Sequence, residues 1–284
     1  MKKRFFKRGW FLGILLCVFA VFGGTQRVEA AENGIVSLEL YPNMEATYTK
    51  YDVTGDTLND TVKVTVTNHN DKMYSGTIKV YVNGDLVFKQ TREPDPGWTV
   101  KLIKLKNGNV FFDIESMIVS GDCSIHHLYV YKNKQLKSVY DFQKYYNKYA
   151  DYYNVDTTEV SGNTIKTTVR AQFYTTGIVY FNMNVAYKNG TFKRTANTFR
   201  PNFEDPTTKW TVARTIKVYK SAGSKKLAYT LKKGNKVQLS KIIYKNNKVY
   251  FQVKRSNGKV KNGYIPAAKR WADPQYFVES QFAG

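Results

Sequence analysis

The chain has 284 residues, with 44 lysines and arginines against 22 aspartates and glutamates, which gives a formal net charge of +22. Two cysteines exclude a disulfide framework as the basis of its stability. Apolar residues make up 42% of the sequence, enough for one or two buried cores in a chain of this length.

The first 30 residues have the three parts of a secretory signal peptide. A lysine- and arginine-rich stretch precedes an apolar run from Phe11 to Phe22, and Val28-Glu29-Ala30 places small residues at the −3 and −1 positions. This pattern predicts cleavage after Ala30 and a secreted protein, extracellular or associated with the cell wall. An uncleaved membrane anchor is the alternative interpretation.

Cleavage at this position leaves 38 basic and 21 acidic side chains, a net charge of +17. Such a surface attracts polyanions. For a secreted protein, teichoic acids, acidic glycans or anionic lipid are better candidates than nucleic acid, because no nucleic-acid-binding motif is present. The predicted partners are polymers of the cell wall, either peptidoglycan or teichoic acid. A solvated, lysine-rich surface on β-strands is the alternative interpretation.

A carboxylate-rich run precedes a segment in which apolar and polar residues alternate. Its spacing would direct oxygen atoms at one centre from Asp52, Thr54, Asp56, the main-chain carbonyl of Leu58, and Asp60. Calcium prefers such oxygen ligands. The run therefore predicts a calcium site, whereas a polar turn before a strand explains the same residue types without a metal.

The spacing of this run resembles the aspartate-rich calcium loops of FG-GAP and VCBS-type β-propeller repeats and of dockerins. The resemblance implies that the loop holds calcium. Thr57 occupies the position that is usually glycine, and Lys63 occupies the position of the bidentate glutamate in an EF-hand. An EF-hand is therefore excluded.

Residues 35–142 contain three predicted β-hairpins. Their turns are expected at Asn83-Gly84, Asn107-Gly108 and Lys132-Asn133-Lys134, each between alternating segments. The first and third hairpins are similar in sequence, a weak repeat of about fifty residues. The pattern predicts a multi-hairpin β domain over residues 31–205, either a sandwich or propeller-blade-like sheets.

Two further strands are predicted between residues 158 and 200. The preceding tyrosine-rich run, Tyr140 to Tyr153, lacks glycine, proline and β-branched residues, so it is predicted to be a short helix or an irregular linker. Pro201 and Pro206 mark a linker before the last domain, residues 206–284.

Residues 210–268 resemble a bacterial SH3-like domain. The family has a Leu-Lys-Lys-Gly-x-x-Val signature, which Leu231-Lys232, Gly234 and Val237 match. Its Tyr/Trp-x-x-Val strand is matched by Tyr250 and Val253, and its closing Gly-Trp-Ile by Gly263-Tyr264-Ile265, with tyrosine in place of tryptophan. The resemblance implies a small barrel of about five short strands. Its predicted core consists of Val237, Leu239, Val249, Phe251 and Val253.

The SH3-like resemblance also implies binding to peptidoglycan or to a protein. The aromatic candidates for a ligand groove are Tyr219, Tyr250, Tyr264 and Trp271. The alternative is that these rings fill the mouth of the barrel.

Motifs for catalysis are absent from the sequence: it has no Gly-x-Ser-x-Gly, no His-Glu-x-x-His and no phosphate loop. We therefore expect an all-β, secreted, non-catalytic protein that binds the wall or surface of a Gram-positive type of bacterium. The alternative is a cell-wall hydrolase or a hydrolase regulator that uses Cys123 with His126 or His127.

Overall fold

A computed structural model describes residues 26–27, 34–40, 43–68, 76–92, 97–117, 123–144, 148–202, 209–255 and 262–282. Over these ranges every regular element is a β-strand, so the predicted all-β fold is confirmed. In this part of the chain no helix is long and apolar enough to cross a membrane. Most of the predicted signal peptide and its cleavage site lie outside the described residues.

Ten strands form the first half of the chain. They are β1 (Gln26–Arg27), β2 (Ile35–Leu40), β3 (Met44–Tyr51), β4 (Asp60–Asn68), β5 (Gly76–Val82), β6 (Asp85–Arg92), β7 (Gly97–Lys104), β8 (Val110–Met117), β9 (Cys123–Lys132) and β10 (Gln135–Asp141). Sheet 1 has the order β1-β3-β4-β5-β6, and sheet 2 has the order β10-β9-β8-β7-β2. Apolar side chains from one face of each sheet share a buried core, so the two sheets form a sandwich.

The three predicted hairpins are confirmed. Two have two-residue turns in which both central residues have positive φ: Asn83-Gly84 at 50° and 89°, and Asn133-Lys134 at 53° and 57°. Such turns match the right-handed twist of the flanking strands. The two similar sequence segments therefore form equivalent hairpins, one in each sheet of the sandwich.

Sheet 2 is covered on both faces. Leu102 and Phe112 point into the core shared with sheet 1, whereas their neighbours Ile103 and Phe111 point into a second core. Burial on both faces explains why apolar residues are consecutive at these positions rather than alternating.

Eleven strands follow. They are β11 (Ala150–Ser161), β12 (Thr164–Phe173), β13 (Gly177–Lys188), β14 (Thr191–Arg194), β15 (Thr198–Phe199), β16 (Trp210–Thr211), β17 (Ile216–Tyr219), β18 (Leu227–Leu231), β19 (Lys236–Lys245), β20 (Lys248–Arg255) and β21 (Asn262–Pro266). Sheet 3 has the order β11-β12-β13-β14. Its first strand begins inside the tyrosine-rich run, where no helix is found among the described residues.

Sheet 4 has the order β15-β19-β20-β21-β17-β18, with β16 beside β19. The five residues predicted for its core are all buried, and Gly234 supplies a turn with φ of +83°. Among the described residues the strand pairings form an open path, with no pair that closes it into a barrel. The SH3-like assignment stays a prediction.

Sheets 3 and 4 share the second core. Phe173 packs edge-on against Phe251 with ring centroids 5.2 Å apart, and Phe181 lies 5.4 Å from Phe199. This core is continuous across the predicted domain boundary at residue 205, which itself lies outside the described residues. The boundary stays a prediction.

Candidate functional site

The carboxylate-rich loop is organised around Asp60, whose side chain is only 2% exposed. Its Oδ2 accepts hydrogen bonds from the backbone N–H groups of Val53 and Thr54, at 2.7 and 2.8 Å. Its Oδ1 accepts from the Asn83 side-chain amide at 2.5 Å and from the Thr54 hydroxyl at 3.3 Å. A carboxylate has about four acceptor positions, so those of Asp60 are filled by donors.

Asp52 has the same role at the exposed end of the loop. It accepts hydrogen bonds from the backbone N–H groups of Gly55 at 2.6 Å and Thr57 at 2.8 Å. Burial acts to raise the pKa of Asp52, but these N–H donors outweigh it and lower the pKa below its ordinary value. Thr57 has a φ of 75°, a conformation that glycine adopts more easily.

Asp56 and Leu58 lie in solvent-exposed positions. Asp56 Oδ1 accepts from the backbone N–H of Leu58 at 2.9 Å, and the Leu58 side chain is 69% exposed. Most of these carboxylate oxygens accept hydrogen bonds from N–H groups, and the Oδ1 atoms of Asp52 and Asp60 lie 3.5 and 3.3 Å from the Thr54 hydroxyl. Within the described ranges no group of three or more His, Cys, Asp or Glu side chains is arranged to hold a metal. The calcium site stays a prediction.

Three of the four predicted groove aromatics lie on one face of sheet 4. Tyr219 and Tyr264 are opposite each other on β17 and β21, and Tyr250 lies on the same side of β20. Trp271 is elsewhere: it is 43% exposed and packs edge-on against Tyr174 at 5.2 Å and Phe282 at 4.4 Å.

Strand alternation puts lysines on the same face as these tyrosines. We call this surface the outer face of sheet 4, and define it by Lys217, Tyr219, Lys245, Lys248, Tyr250, Gln252, Lys254 and Tyr264. The opposite face carries Val218, Val249 and Phe251, all buried in the second core. The apolar pattern of the strands therefore directs the lysines and tyrosines outward.

A short chain of hydrogen bonds fixes the middle of the outer face. The Ser240 hydroxyl donates to Gln252 Oε1 at 2.9 Å, and Gln252 Nε2 donates to the Tyr264 hydroxyl at 2.9 Å. Tyr250 is only 9% exposed, so it offers little ring surface to a ligand. Tyr219 and Tyr264 remain partly exposed and are the rings available on this face.

Positive charge is concentrated in the last part of the chain. Residues 206–284 contain 18 lysines and arginines against two carboxylates, a net charge of +16. Residues 31–205 contain 20 against 19, a net charge of +1. Whole-chain counts conceal this asymmetry, and counting each predicted domain separately would have revealed it.

Among the described residues, carboxylates form ion pairs with basic side chains in the first part of the chain but not in the last. The six ion pairs between described residues all join positions from Glu45 to Lys166, and none includes a residue after 206. Glu279 accepts hydrogen bonds from the backbone N–H and hydroxyl of Thr211, both at 2.6 Å. The lysines of the outer face therefore have no ion-pair partner among the described residues.

The two adjacent histidines point to opposite faces of sheet 2, as strand geometry requires. His126 is 1% exposed, and its Nε2 lies 2.7 Å from Oδ1 of the buried Asp113. His127 is partly exposed, with Nδ1 3.0 Å from the Ser138 hydroxyl. The Cys123 side chain lies outside the described residues, so its relation to either histidine stays a prediction.

Asp113 on β8 and His126 on β9 form a buried charged pair on the face of sheet 2 that packs against Thr157 of β11. Burial acts to lower the pKa of His126, but the Asp113 carboxylate outweighs it and raises the pKa. Burial likewise acts to raise the pKa of Asp113, and His126 lowers it below its ordinary value. The Thr157 hydroxyl donates to Asp113 Oδ2 at 2.8 Å. The pair thus joins two sheets inside the protein, where a wall polymer has no access.

No family model, curated protein or solved structure matches this chain. The resemblances to SH3-like domains and to calcium loops stay predictions. The charge and the side chains of the outer face of sheet 4 are therefore the basis for a functional assignment.

Proposed function

We propose that the chain is a secreted, non-catalytic protein that binds anionic polymers of the bacterial cell wall through the outer face of sheet 4. The observation that carries this proposal is the net charge of +16 over residues 206–284, with no described ion pair to offset it. Self-repulsion among like charges costs stability unless a partner of opposite charge is bound.

The outer face combines two kinds of contact. Lys217, Lys248 and Lys254 supply exposed or partly exposed ammonium groups for phosphates or carboxylates. The partly exposed rings of Tyr219 and Tyr264 supply flat apolar surface for sugar rings. Teichoic acids carry phosphates and peptidoglycan carries carboxylates and sugars, so both classes of wall polymer match this combination.

Secretion is part of the proposal, because the partner lies outside the cell. The signal-like pattern of residues 1–30 supports it. Amino-terminal sequencing of the protein from culture supernatant should return Ala31 as the first residue. A sequence that begins at Met1 would contradict cleavage.

The alternative, a wall hydrolase or regulator with Cys123 and a neighbouring histidine, has less support. His126 is buried and bound to Asp113, which leaves the partly exposed His127 as the histidine that this alternative requires. We expect neither the wild type nor Cys123→Ser to release fragments from purified peptidoglycan. Turnover that disappears in Cys123→Ser would establish the alternative.

Retention on isolated walls tests the binding function. Purified mature protein is incubated with intact walls and with walls from which teichoic acid has been extracted, and the bound fraction is measured after centrifugation. We expect strong retention on intact walls. Retention by neither preparation would refute the proposal, and equal retention by both would identify peptidoglycan as the partner.

A further inference from the structure

A pocket of about 240 Å³ opens where sheet 3 meets sheet 4. The described residues that line it are Arg194, Asn197, Tyr244, Lys245, Asn246 and Asn247. They include two cations and three side-chain amides, and no carboxylate. The pocket is therefore polar and positively charged.

Arg194 is positioned by Tyr244 of sheet 4 and by Asn197, which lies just before β15. Arg194 ends β14, and its guanidinium lies over the Tyr244 ring, 4.4 Å from the centroid. Its Nη2 donates to Asn197 Oδ1 at 3.2 Å, and the Asn197 carbonyl accepts from the Tyr244 backbone N–H at 2.8 Å. Stacking and hydrogen bonding thus orient the guanidinium before any ligand arrives.

The opposite wall of the pocket is the turn between β19 and β20. Asn246 and Asn247 have φ values of 51° and 55°, as in a two-residue hairpin turn. The Tyr149 hydroxyl donates to the Asn247 carbonyl at 3.3 Å and so ties this turn to the start of sheet 3. Lys245, at the end of β19, also lines the pocket.

We propose that this pocket binds a phosphate group carried by an anionic wall polymer, an inference that rests on the proposed function. The planar fork of an arginine matches two phosphate oxygens, and a lysine adds a point charge. The volume lies below the usual range of about 300–1,000 Å³ for pockets that bind drug-sized ligands. A phosphate with a short polyol fits this size better than a larger ring system.

The pocket adjoins the outer face of sheet 4. Lys245 belongs to both. Its side chain and the Tyr250 hydroxyl of the outer face lie on either side of Gly223, since a Cβ placed at Gly223 would be 4.0 Å from Lys245 Cδ and 3.5 Å from that hydroxyl. A polymer that lies across the outer face therefore meets the pocket at the end of β19. The pocket would fix one phosphate while the outer face holds the rest of the chain.

Titration with glycerol phosphate, followed by NMR, tests the pocket directly. We expect Arg194→Gln to weaken binding by about tenfold or more, because charge-assisted hydrogen bonds are lost. The matched control is Lys193→Gln, which removes the same charge from the adjacent, exposed position of β14, on the opposite face. Equal weakening by the two variants would refute phosphate binding in the pocket and would show that glycerol phosphate responds only to the net positive charge.

Because Arg194 also stacks on Tyr244, its replacement can alter the fold, and melting curves of each variant check for this. Lys245→Gln provides a second variant, since Lys245 is exposed. It should also weaken glycerol phosphate binding relative to Lys193→Gln. Wild-type affinity in a folded Lys245→Gln variant would overturn the assignment of this lysine and of the pocket.

Intact walls and phosphatidylglycerol vesicles distinguish the two sources of phosphate. We expect Arg194→Gln to lower retention on walls more than Lys193→Gln does, with no such difference on vesicles. If the two variants differed in their binding to vesicles but not to walls, a lipid headgroup and not a wall polymer would be the source of the phosphate. The titration uses a free ligand, so its result does not depend on wall binding: walls that fail to retain the wild type refute the proposed function, not the phosphate pocket.

Discussion

Residues 31–205, which include the sandwich and sheet 3, differ from residues 206–284 in how their charges are arranged. In residues 31–205 basic and acidic side chains are nearly balanced, and described ion pairs join them, including one that is buried. In residues 206–284 basic side chains outnumber acidic ones by 18 to two, and none has an ion-pair partner among the described residues. The described ion pairs all belong to the first region, whereas the outer-face lysines of the second have no ion-pair partner among the described residues.

This comparison separates two measurable quantities. Replacing charges in the sandwich should change the free energy of unfolding and leave wall binding unaltered. Replacing lysines on the outer face of sheet 4 should weaken wall binding and leave stability nearly unaltered, because exposed residues without partners contribute little to folding.

The largest effect on stability is expected at the buried pair. Asp113→Ala leaves His126 buried without its counter-ion and removes the acceptor of the Thr157 hydroxyl. Breaking a buried pair in this way costs about 3–5 kcal/mol. Urea unfolding measures the loss, and retention of the folded fraction on walls should equal that of the wild type.

The control for this variant is Asp85→Ala. The Asp85 carboxylate lies 2.8 Å from Lys134 Nζ, and both side chains are more than half exposed. Pairs of exposed charges contribute little to stability. A similar loss from the two variants would contradict the claim that burial makes the Asp113 pair important.

The next effect concerns binding. Replacing Lys217, Lys245, Lys248 and Lys254 by glutamine removes four charges from the outer face of sheet 4. At about 1 kcal/mol for each basic residue near an anionic surface, the dissociation constant should rise by about a thousandfold. The dissociation constant is measured by centrifugation with intact walls.

The matched variant removes four exposed lysines from the sandwich: Lys89, Lys106, Lys132 and Lys137. It has the same net charge as the outer-face variant, so it tests position rather than total charge. An equal loss of binding by the two variants would show that the partner responds to net charge alone. It would contradict the claim that the outer face of sheet 4 is the binding surface.

The carboxylate-rich loop gives a smaller effect. Asp60→Ala leaves the buried N–H group of Val53 without its acceptor, at a cost of about 1–3 kcal/mol. Asp56→Ala removes one exposed hydrogen bond and should cost less. Differential scanning calorimetry compares both variants with the wild type.

The same melting curves test the calcium prediction. Calcium at a hundred times its dissociation constant would stabilise the folded state by about 2.7 kcal/mol, and Asp56→Ala would abolish that response. A wild-type curve that is indifferent to calcium and to chelator supports the loop as a polar turn held by N–H donors.

The smallest effect is the pH dependence from the buried pair. The raised pKa of His126 means that its contribution is complete below about pH 6.5 and is lost as the pH rises through the folded pKa. The lowered pKa of Asp113 means that its contribution is present above about pH 4 and is lost as the pH falls. Two further groups act on the pKa of His126: the Glu115 carboxylate raises it, and the Lys101 ammonium lowers it.

Chemical unfolding between pH 6 and 9 checks the alkaline limb. Stability should decline over this range in the wild type, and His126→Gln should flatten the curve. A wild-type stability that rises with pH would show that His126 is neutral when folded.

Local features of the fold were predictable because their causes are local. Asn83-Gly84 and Asn133-Lys134 adopt turns that require positive φ, and alternation identified the strand cores. The order of strands in the sheets was not predictable. β2 pairs with β7 in sheet 2, although the four strands between them in the chain, β3 to β6, belong to sheet 1. β11 was missed because its buried face includes the polar Thr157, which bonds to Asp113, so that only Tyr153 and Val155 mark that face as apolar.

The candidate site was only partly predictable. The SH3-like resemblance identified Tyr219 and Tyr264, which the structure places on one face, and Trp271, which it places elsewhere. The pocket at Arg194 joins residues more than fifty positions apart and depends on the packing of sheet 3 against sheet 4. The buried pair of Asp113 and His126 was missed, because polar residues in strands are normally expected to face solvent.

Salt titration of wall retention tests the central claim most directly. The wild-type protein is bound to intact walls, and the bound fraction is measured as sodium chloride is raised from low ionic strength through physiological ionic strength, where the Debye length is about 8 Å. Because the lysines of the outer face are exposed, their attraction to a polyanion is screened, and retention should fall steeply. Retention that is unchanged in high salt would contradict binding through unpaired charge.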